Sequence, residues 1–169
     1  GLGYIGTELC KLYSGTSWHH EIIVVDNRFI SERVNQIRNW NMEFIQGDIL
    51  NKDLVKKYFS NADVVHHLAG VTEVPRTKTE SSEERDEKIK EIGVKGTQNI
   101  LDAIKKNCKI IFPSTHVVYE GINEIRTDIK EDEPTKPILS YASSKAVNED
   151  QLKKSGKNYI ILRLGSVYG

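Results

Sequence analysis

Tyr141 and Lys145 are the two side chains whose types and spacing most clearly suggest chemistry. They lie four residues apart, which puts a phenol and an ammonium on one face of a helix. Because a nearby ammonium stabilises a phenolate, we expect the pKa of Tyr141 to be lowered, making it a proton acceptor near neutral pH. Ser114 and Thr115 follow an apolar run and supply a hydroxyl at the carboxyl end of a strand, where open α/β sheets bind ligands.

Three glycines, Gly1, Gly3 and Gly6, stand at the start of a predicted helix. Glycines there allow a tight turn and let a helix N-terminus approach a pyrophosphate. Asp26 ends the next predicted strand, where a carboxylate can bind the ribose hydroxyl groups of a dinucleotide. An acid there favours NAD because it would repel a 2′-phosphate, while Arg28 keeps NADP as an alternative. The other interpretation of Asp26 is an ordinary loop residue.

Asp48 ends a further predicted strand, directly after Gly47. Its carboxylate is placed to accept a hydrogen bond from an adenine amino group. A simple turn residue is the equally weighted alternative. The adjacent histidines at positions 66 and 67 would point to opposite faces of a strand, so we expect no metal site.

Strand and helix patterns alternate along the chain, which predicts a doubly wound α/β sheet with parallel strands. The predicted strands are Glu21–Val25, Glu43–Gln46, Ala62–Leu68, Lys109–Phe112 and Asn158–Leu164. The predicted helices are Thr7–Tyr13, Ile30–Asn39, one capped by Asn51, a long one reaching Ile104, and Tyr141–Lys154. The charged stretch Glu73–Lys90 is predicted to be a solvated loop in its first half and the start of the long helix in its second.

The composition of the 169 residues narrows the functional classes. The 24 basic and 24 acidic residues cancel, so the chain lacks the basic excess expected of a protein that binds nucleic acid or an anionic membrane. Cys10 and Cys108 show no paired spacing, which disfavours a disulfide framework or a metal cage. A reduced, cytoplasmic setting is therefore the expectation.

Six segments in order along the chain resemble the motifs of the extended short-chain dehydrogenases, the NAD-dependent epimerase/dehydratase family that acts on nucleotide sugars. They are GYIG at Gly3–Gly6, HLAG at His67–Gly70, GTQNIL at Gly96–Leu101, Ser114-Thr115 with Val118-Tyr119, the Tyr141 and Lys145 pair, and Leu162-Arg163 with Val167–Gly169. The resemblance covers the whole chain. It is specific for the superfamily and does not select one reaction.

The resemblance implies a role for each matching position. Tyr141 would deprotonate a sugar hydroxyl, Lys145 would hold the nicotinamide ribose and tune Tyr141, and Thr115 would hydrogen-bond the reacting oxygen. The implied NAD-binding residues are Gly3, Tyr4, Ile5, Gly6, Asp26, Asn27, Asp48, Ile49, Leu68, Ala69, Gly70, Tyr141 and Lys145.

Three departures from the family pattern bear on mechanism. Gly93 stands where the family has an asparagine that orders the active-site relay, and Glu120 lengthens the VYG motif by one residue. His116 and Val117 replace the Asp-Glu pair of sugar 4,6-dehydratases. Because Val117 cannot transfer a proton, dehydratase chemistry is disfavoured, and so is decarboxylase chemistry, which places a glutamate there.

The leading hypothesis is an NAD-dependent nucleotide-sugar epimerase that passes a hydride between a sugar carbinol and nicotinamide. The alternatives are a keto-sugar or carbonyl reductase or a dehydratase of the same superfamily, and a non-catalytic dinucleotide-sensing module. The resemblance also implies a homodimer when the protein is full length, through helices that include the Tyr141 helix.

The ends of the sequence suggest a single Rossmann domain over residues 1–169 that is cut at both sides. We expect its first, central strand and a C-terminal substrate domain to be missing. The missing strand would lie between those that carry Asp26 and His67. We therefore predict that this piece alone aggregates or binds NAD weakly, because two strand edges would be left unpaired.

Overall fold

The computed structural model describes residues 1–17, 20–71 and 82–168 as alternating strands and helices. The strands are β1 (Ile23–Asp26), β2 (Glu43–Gln46), β3 (Val64–His66), β4 (Lys109–Thr115) and β5 (Asn158–Leu164). The helices are α1 (Tyr4–Ser14), α2 (Ser31–Asn39), α3 (Lys52–Phe59), α4 (Glu83–Lys90), α5 (Gly96–Ala103) and α6 (Ser140–Lys154). A π-helical segment (Glu91–Lys95) joins α4 to α5, and a 3₁₀ turn (His116–Tyr119) follows β4.

The strands form two parallel sheets. One pairs β1 with β2, and the other has the order β3-β4-β5. Over the described ranges the two sheets share no backbone pairing. The predicted doubly wound class, with parallel strands joined through helices, is confirmed.

Each sheet has its own buried core. The first core packs α1 and α2 on the β1–β2 sheet through Leu2, Cys10, Val24, Val34, Ile37 and Met42. The second packs α3, α5 and α6 on the larger sheet through Ile49, Val55, Val65, Ile100, Leu101, Ile104, Cys108, Ile110, Phe112 and Leu152. Burial of aliphatic side chains at about 25 cal/mol per Å² is the main force that holds these helices on the sheets.

Local sequence signals account for several helix boundaries. The Asn51 side chain accepts a hydrogen bond from the Leu54 N–H at 3.1 Å, which confirms the predicted cap of α3. Ser82 caps α4 in the same way, through the Arg85 N–H. No helix within the described ranges is both long and apolar enough to cross a bilayer.

The structure changes several of the predicted boundaries. Strands β1 and β3 begin at Ile23 and Val64 rather than at Glu21 and Ala62. Helix α1 begins at Tyr4 rather than Thr7, directly after the glycine turn. Strand β4 continues to Thr115, because Thr115 pairs with Leu164 of β5. The predicted long helix is interrupted by the π-helical segment. The loop half of the charged stretch, residues 73–81, lies outside the described residues.

Candidate functional site

Helix α6 carries Tyr141 and Lys145 across the carboxyl end of β4. The Lys145 ammonium donates a hydrogen bond to the Pro113 carbonyl oxygen at 2.8 Å. Its Nζ lies 4.4 Å from the centre of the Phe112 ring. Burial lowers the pKa of Lys145 to about 8. The ammonium is therefore anchored on β4, two residues before Thr115.

Tyr141 departs from the prediction made for its acidity. Burial raises the pKa of Tyr141 above its ordinary value, because desolvation disfavours the phenolate. Lys145 Nζ lies 5.8 Å from the centre of the Tyr141 ring, and its hydrogen bond goes to Pro113. The predicted lowering of the pKa is therefore wrong for this arrangement, because the ammonium contacts the strand instead of the phenol oxygen.

Thr115 ends β4 with a buried side chain. Its Oγ1 accepts a hydrogen bond from the Val117 N–H at 3.3 Å and so caps the 3₁₀ turn. The hydroxyl proton stays available for an acceptor near α6. The neighbouring His116 is exposed, and its Nδ1 lies 3.2 Å from the Leu164 carbonyl oxygen. This contact of His116 is thus with the end of strand β5.

The glycine turn leads directly into α1. Gly3 is the N-cap residue, and a Cβ added there would meet no atom within 4 Å, so its backbone faces open space. A Cβ at Gly6 would overlap the Gly1 carbonyl oxygen, so the turn requires glycine at that position. The side chains of Tyr4 and Ile5 are 50% and 39% exposed. This helix N-terminus therefore lies next to an open surface, an arrangement that suits a phosphate.

Asp26 lies at the end of β1 and is bonded to this turn. Its Oδ2 accepts hydrogen bonds from the N–H of Leu2 at 2.7 Å and the amino group of Gly1 at 3.1 Å. Its Oδ1 accepts one from the Arg28 N–H at 2.9 Å. Burial alone would raise the pKa of Asp26, but hydrogen bonds from the backbone N–H groups of Arg28 and Leu2 act in the opposite direction, and the pKa is lowered. The carboxylate is ionised and has lone pairs left for ribose hydroxyl groups.

Asn27 and Asp48 meet at the ends of β1 and β2. The Asn27 Nδ2 donates to Asp48 Oδ2 at 3.4 Å, and the Leu50 N–H donates to Asp48 Oδ1 at 2.9 Å. The side chain of Ile49 is buried in the second core, and its carbonyl oxygen accepts a hydrogen bond from Asn99 Nδ2 at 3.0 Å. Any contact of Ile49 with a cofactor would therefore have to use its backbone.

The predicted loop Leu68–Gly70 follows β3 and lies beside the glycine turn. A Cβ built on Gly6 would be 3.4 Å from Leu68 Cδ1, which measures how close the two segments come. Ala69 packs against the second core, and a Cβ on Gly70 would meet open space. The two halves of the predicted site therefore meet at the carboxyl ends of the strands.

Gly93 lies in the π-helical segment and packs against α6. A Cβ on Gly93 would overlap the Ser144 hydroxyl group. The Gly93 and Val94 carbonyl oxygens accept hydrogen bonds from Asn148 Nδ2 at 3.1 Å and Gln151 Nε2 at 3.0 Å. Two amide side chains of α6 thus bind carbonyl groups of the π-helical segment, and an asparagine side chain at position 93 would disturb this contact.

Sequence reasoning missed two groups beside the site. His67 is buried, with Nε2 2.8 Å from Thr97 Oγ1, while its Nδ1 has no partner among the described residues. Burial, with a smaller effect of the Lys145 charge, lowers the pKa of His67 to about 3, so the ring is neutral. Glu149 is buried in α6 and pairs with Arg163. Its four-residue spacing from Lys145 was the available signal.

Within the described ranges no group of three or more His, Cys, Asp or Glu side chains is arranged to hold a metal ion. The site residues are donors and acceptors suited to an organic ligand: hydroxyl groups, carboxylates, one ammonium and the N-terminal end of helix α1.

Curated relatives match along the whole chain or most of it. A Methanocaldococcus jannaschii protein provisionally named UDP-glucose 4-epimerase is 34% identical, over 100% of this chain and 54% of its own. The Salmonella typhi CDP-paratose 2-epimerase is 30% identical over 100% of this chain and 56% of its own. The human dTDP-D-glucose 4,6-dehydratase is 33% identical over 76% of this chain and 37% of its own. The chain spans about half the length of the first two relatives.

Solved structures share the fold. The Bordetella bronchiseptica enzyme WbmH, in complex with NAD⁺, superposes with a TM-score of 0.81 at 26% identity, over 99% of this chain and 54% of that one. The Brucella ovis UDP-glucose 4-epimerase, in complex with NAD, has a TM-score of 0.75 at 30% identity, over 96% of this chain and 49% of that one. The sequence profile of the NAD dependent epimerase/dehydratase family matches residues 1–169. The chain therefore belongs to the NAD dependent epimerase/dehydratase family, whose members are enzymes.

Proposed function

We propose that the protein containing this chain is an NAD-dependent nucleotide-sugar epimerase, with Tyr141 as the proton acceptor. The observation that carries the proposal is the anchoring of α6 on β4 by the Lys145 bond to Pro113, which brings Tyr141 and Lys145 to the strand end that carries Thr115. A base, a cation and a hydroxyl group are the parts needed to oxidise a sugar carbinol.

The other half of the site fits a dinucleotide. The open backbone at Gly3 and the α1 N-terminus suit a pyrophosphate, and Asp26 suits the adenosine ribose. A carboxylate there favours NAD over NADP because it would repel a 2′-phosphate. When bound, NAD would supply a hydride acceptor and the positive charge of its oxidised ring.

The chain's own residues would divide the proton chemistry. Tyr141 would take the proton of the sugar hydroxyl as the carbinol becomes a ketone, and return it when the ketone is reduced. Because burial raises the Tyr141 pKa, the phenolate needs added positive charge in the loaded site. Lys145 supplies part of it, and Thr115 donates its hydroxyl proton to the reacting oxygen.

A reductase for a keto-sugar or another carbonyl compound is the second candidate, because the same three groups would serve a single hydride transfer. A dehydratase is less well supported, although several relatives are dehydratases. Elimination of water needs a further acid and base, and the positions after Thr115 hold the strand-bonded His116 and the non-ionisable Val117. A non-catalytic sensing module would not need all three of Thr115, Tyr141 and Lys145.

The test is an assay of the full-length protein with a panel of nucleotide sugars, with products separated chromatographically and reduced cofactor followed by absorbance. Tyr141→Phe should lower kcat by at least about 100-fold, the effect typical of removing a general base, while NAD still binds. Tyr159→Phe, on the partly exposed β5 surface, is the matched control and should behave as wild type. Full activity of Tyr141→Phe would refute the catalytic assignment.

A further inference from the structure

Glu149 is a buried carboxylate in the same helix as the predicted catalytic pair. Tyr141, Lys145 and Glu149 follow one another at four-residue intervals, so they share one face of α6. The Glu149 side chain is only 2% exposed. A carboxylate in such a position must be paired and hydrogen-bonded, because burying it alone is very costly.

The partners of Glu149 come from two neighbouring strands. Arg163 of β5 donates two hydrogen bonds to the carboxylate, from Nε to Oε1 at 3.0 Å and from Nη2 to Oε2 at 2.7 Å. Ser114 of β4 donates its hydroxyl proton to Oε1 at 2.6 Å. Lys153, on the outer side of α6, lies 3.6 Å from Oε2. Glu149, Ser114 and Arg163 are therefore joined inside the protein, and Lys153 contacts the carboxylate from the surface.

The register of the sheet places the two strand residues together. Ser114 of β4 pairs with Arg163 of β5, and the next pair is Thr115 with Leu164. Residues paired across neighbouring strands project to the same face of a sheet, so Ser114 and Arg163 reach α6 side by side. A shift of β4 by one residue would separate them and would also turn Thr115 to the opposite face.

The contacts of α6 and Arg163 enclose Thr115 on both sides. Before it, Lys145 binds the Pro113 carbonyl and Glu149 binds the Ser114 hydroxyl. After it, Arg163 donates to the Tyr119 hydroxyl oxygen, and to the Glu131 carbonyl oxygen at 2.9 Å. Both the end of β4 and the turn that follows it are thus tied to the helix that carries Tyr141.

We propose that Glu149 is a positioning residue, which acts through Ser114 and Arg163 to set the separation between the Thr115 hydroxyl and the Tyr141 phenol. The inference rests on the proposed function, since it concerns the geometry of that same site. A buried ion pair generally adds little net stability over apolar side chains of similar volume. In this site the ion pair fixes the relative position of α6 and the strands, because a bidentate pair with a third hydrogen bond allows only one arrangement of helix and strand.

Ser114→Ala in the full-length protein is the primary test. The Ala variant removes the bond between β4 and Glu149 and leaves the ion pair with Arg163 in place, so the fold should persist. We expect kcat to fall about 10-fold or more, because small displacements of reacting groups cost up to about 100-fold in rate. The KM for the sugar and the Kd for NAD should stay within about twofold, since the Ser114 side chain is buried and its hydroxyl group is bonded to Glu149.

Two further variants sharpen the result. Glu149→Gln retains an oxygen that can accept from Ser114 but places an NH₂ group against an Arg163 donor, so it should lower kcat at least as much as Ser114→Ala does. Lys153→Ala removes the exposed partner of the same carboxylate without touching β4, and its kcat should equal that of wild type. Circular dichroism and thermal unfolding of each variant would show that the rates refer to folded protein.

The outcomes separate this inference from the proposed function. If Tyr141→Phe abolishes turnover while Ser114→Ala keeps the wild-type kcat, the positioning role is wrong and the proposed function stands. The positioning role is also wrong if Ser114→Ala lowers kcat, raises the KM for the sugar and weakens NAD binding by similar factors, because that pattern indicates a collapsed site. If Tyr141→Phe is fully active, the proposed function itself has failed.

Discussion

The two sheets hold their predicted binding residues by different means. At the ends of β1 and β2, Asp26 and Asp48 accept hydrogen bonds mainly from backbone N–H groups, such as those of Leu2 and Leu50. At the end of β4, side chains bind side chains, as in the contact of Glu149 with Ser114, 35 residues away in the chain. A backbone N–H group remains in place when a neighbouring side chain is replaced. A network of side chains, by contrast, loses a hydrogen-bonding group with each replacement. We therefore expect substitutions to be costlier in the larger sheet.

The largest effect should come from Arg163→Ala in the larger sheet. The variant leaves the Glu149 carboxylate buried without its main counterion, which typically costs about 3–5 kcal/mol. Urea unfolding of the full-length protein measures the loss. Lys153→Ala is the control and should cost at most about 1 kcal/mol, because Lys153 is 47% exposed. Equal losses in the two variants would contradict the comparison.

Gly93→Ala should lower the free energy of unfolding by about 1–3 kcal/mol, the usual cost of overpacking. Its cause is the overlap of the new methyl group with the Ser144 hydroxyl. A double-mutant cycle with Ser144→Ala tests that cause directly. In the Ser144→Ala background, Gly93→Ala should be neutral or stabilising, since alanine is the better helix former. If Gly93→Ala lowers the free energy of unfolding just as much in the Ser144→Ala background, the Ser144 hydroxyl group is not the cause of the clash.

Acidification should destabilise the larger sheet through His67. Its folded pKa of about 3 lies below the ordinary 6.5, so the unfolded chain binds the proton first. The stability that neutral His67 supports is therefore present above pH 6.5 and lost as the pH falls toward 3. This amounts to about 2 kcal/mol between pH 7 and pH 5. His67→Gln should flatten this part of the stability profile, and an unchanged slope would contradict the assignment.

The smallest expected effect is that of Asp26→Asn in the smaller sheet. The amide oxygen replaces only one of the two carboxylate oxygens, so one backbone N–H loses its acceptor and the unfolding free energy should fall by about 1 kcal/mol. Loss of the charge should weaken NAD about 10-fold and strengthen NADP, because a charged hydrogen bond contributes roughly 1.5–3 kcal/mol. Titration with both cofactors measures this, with Asp132→Asn on the exposed loop as control. Unchanged selectivity would show that Asp26 does not contact the ribose.

Element types and their order followed from the sequence because they depend on local signals. Apolar runs ending in polar residues located all five strands, and the Asn51 cap was identified from residue type alone. The boundaries were less predictable where pairing decides them. Strand β4 reaches Thr115 only because β5 supplies a partner as far as Leu164. The π-helical segment likewise depends on contacts with α6 that no local pattern reveals.

Of the candidate site, the sequence by itself determined which chemical groups are available, because a resemblance in six motifs and the YxxxK spacing identify residue types and a shared helix face. The tertiary structure decided how those groups are charged and held. It directed the Lys145 ammonium to Pro113, so that burial raises the Tyr141 pKa instead of the ammonium lowering it. It also joined Ser114, Glu149 and Arg163, whose meeting depends on strand register and burial, two properties that arise only when distant segments pack together.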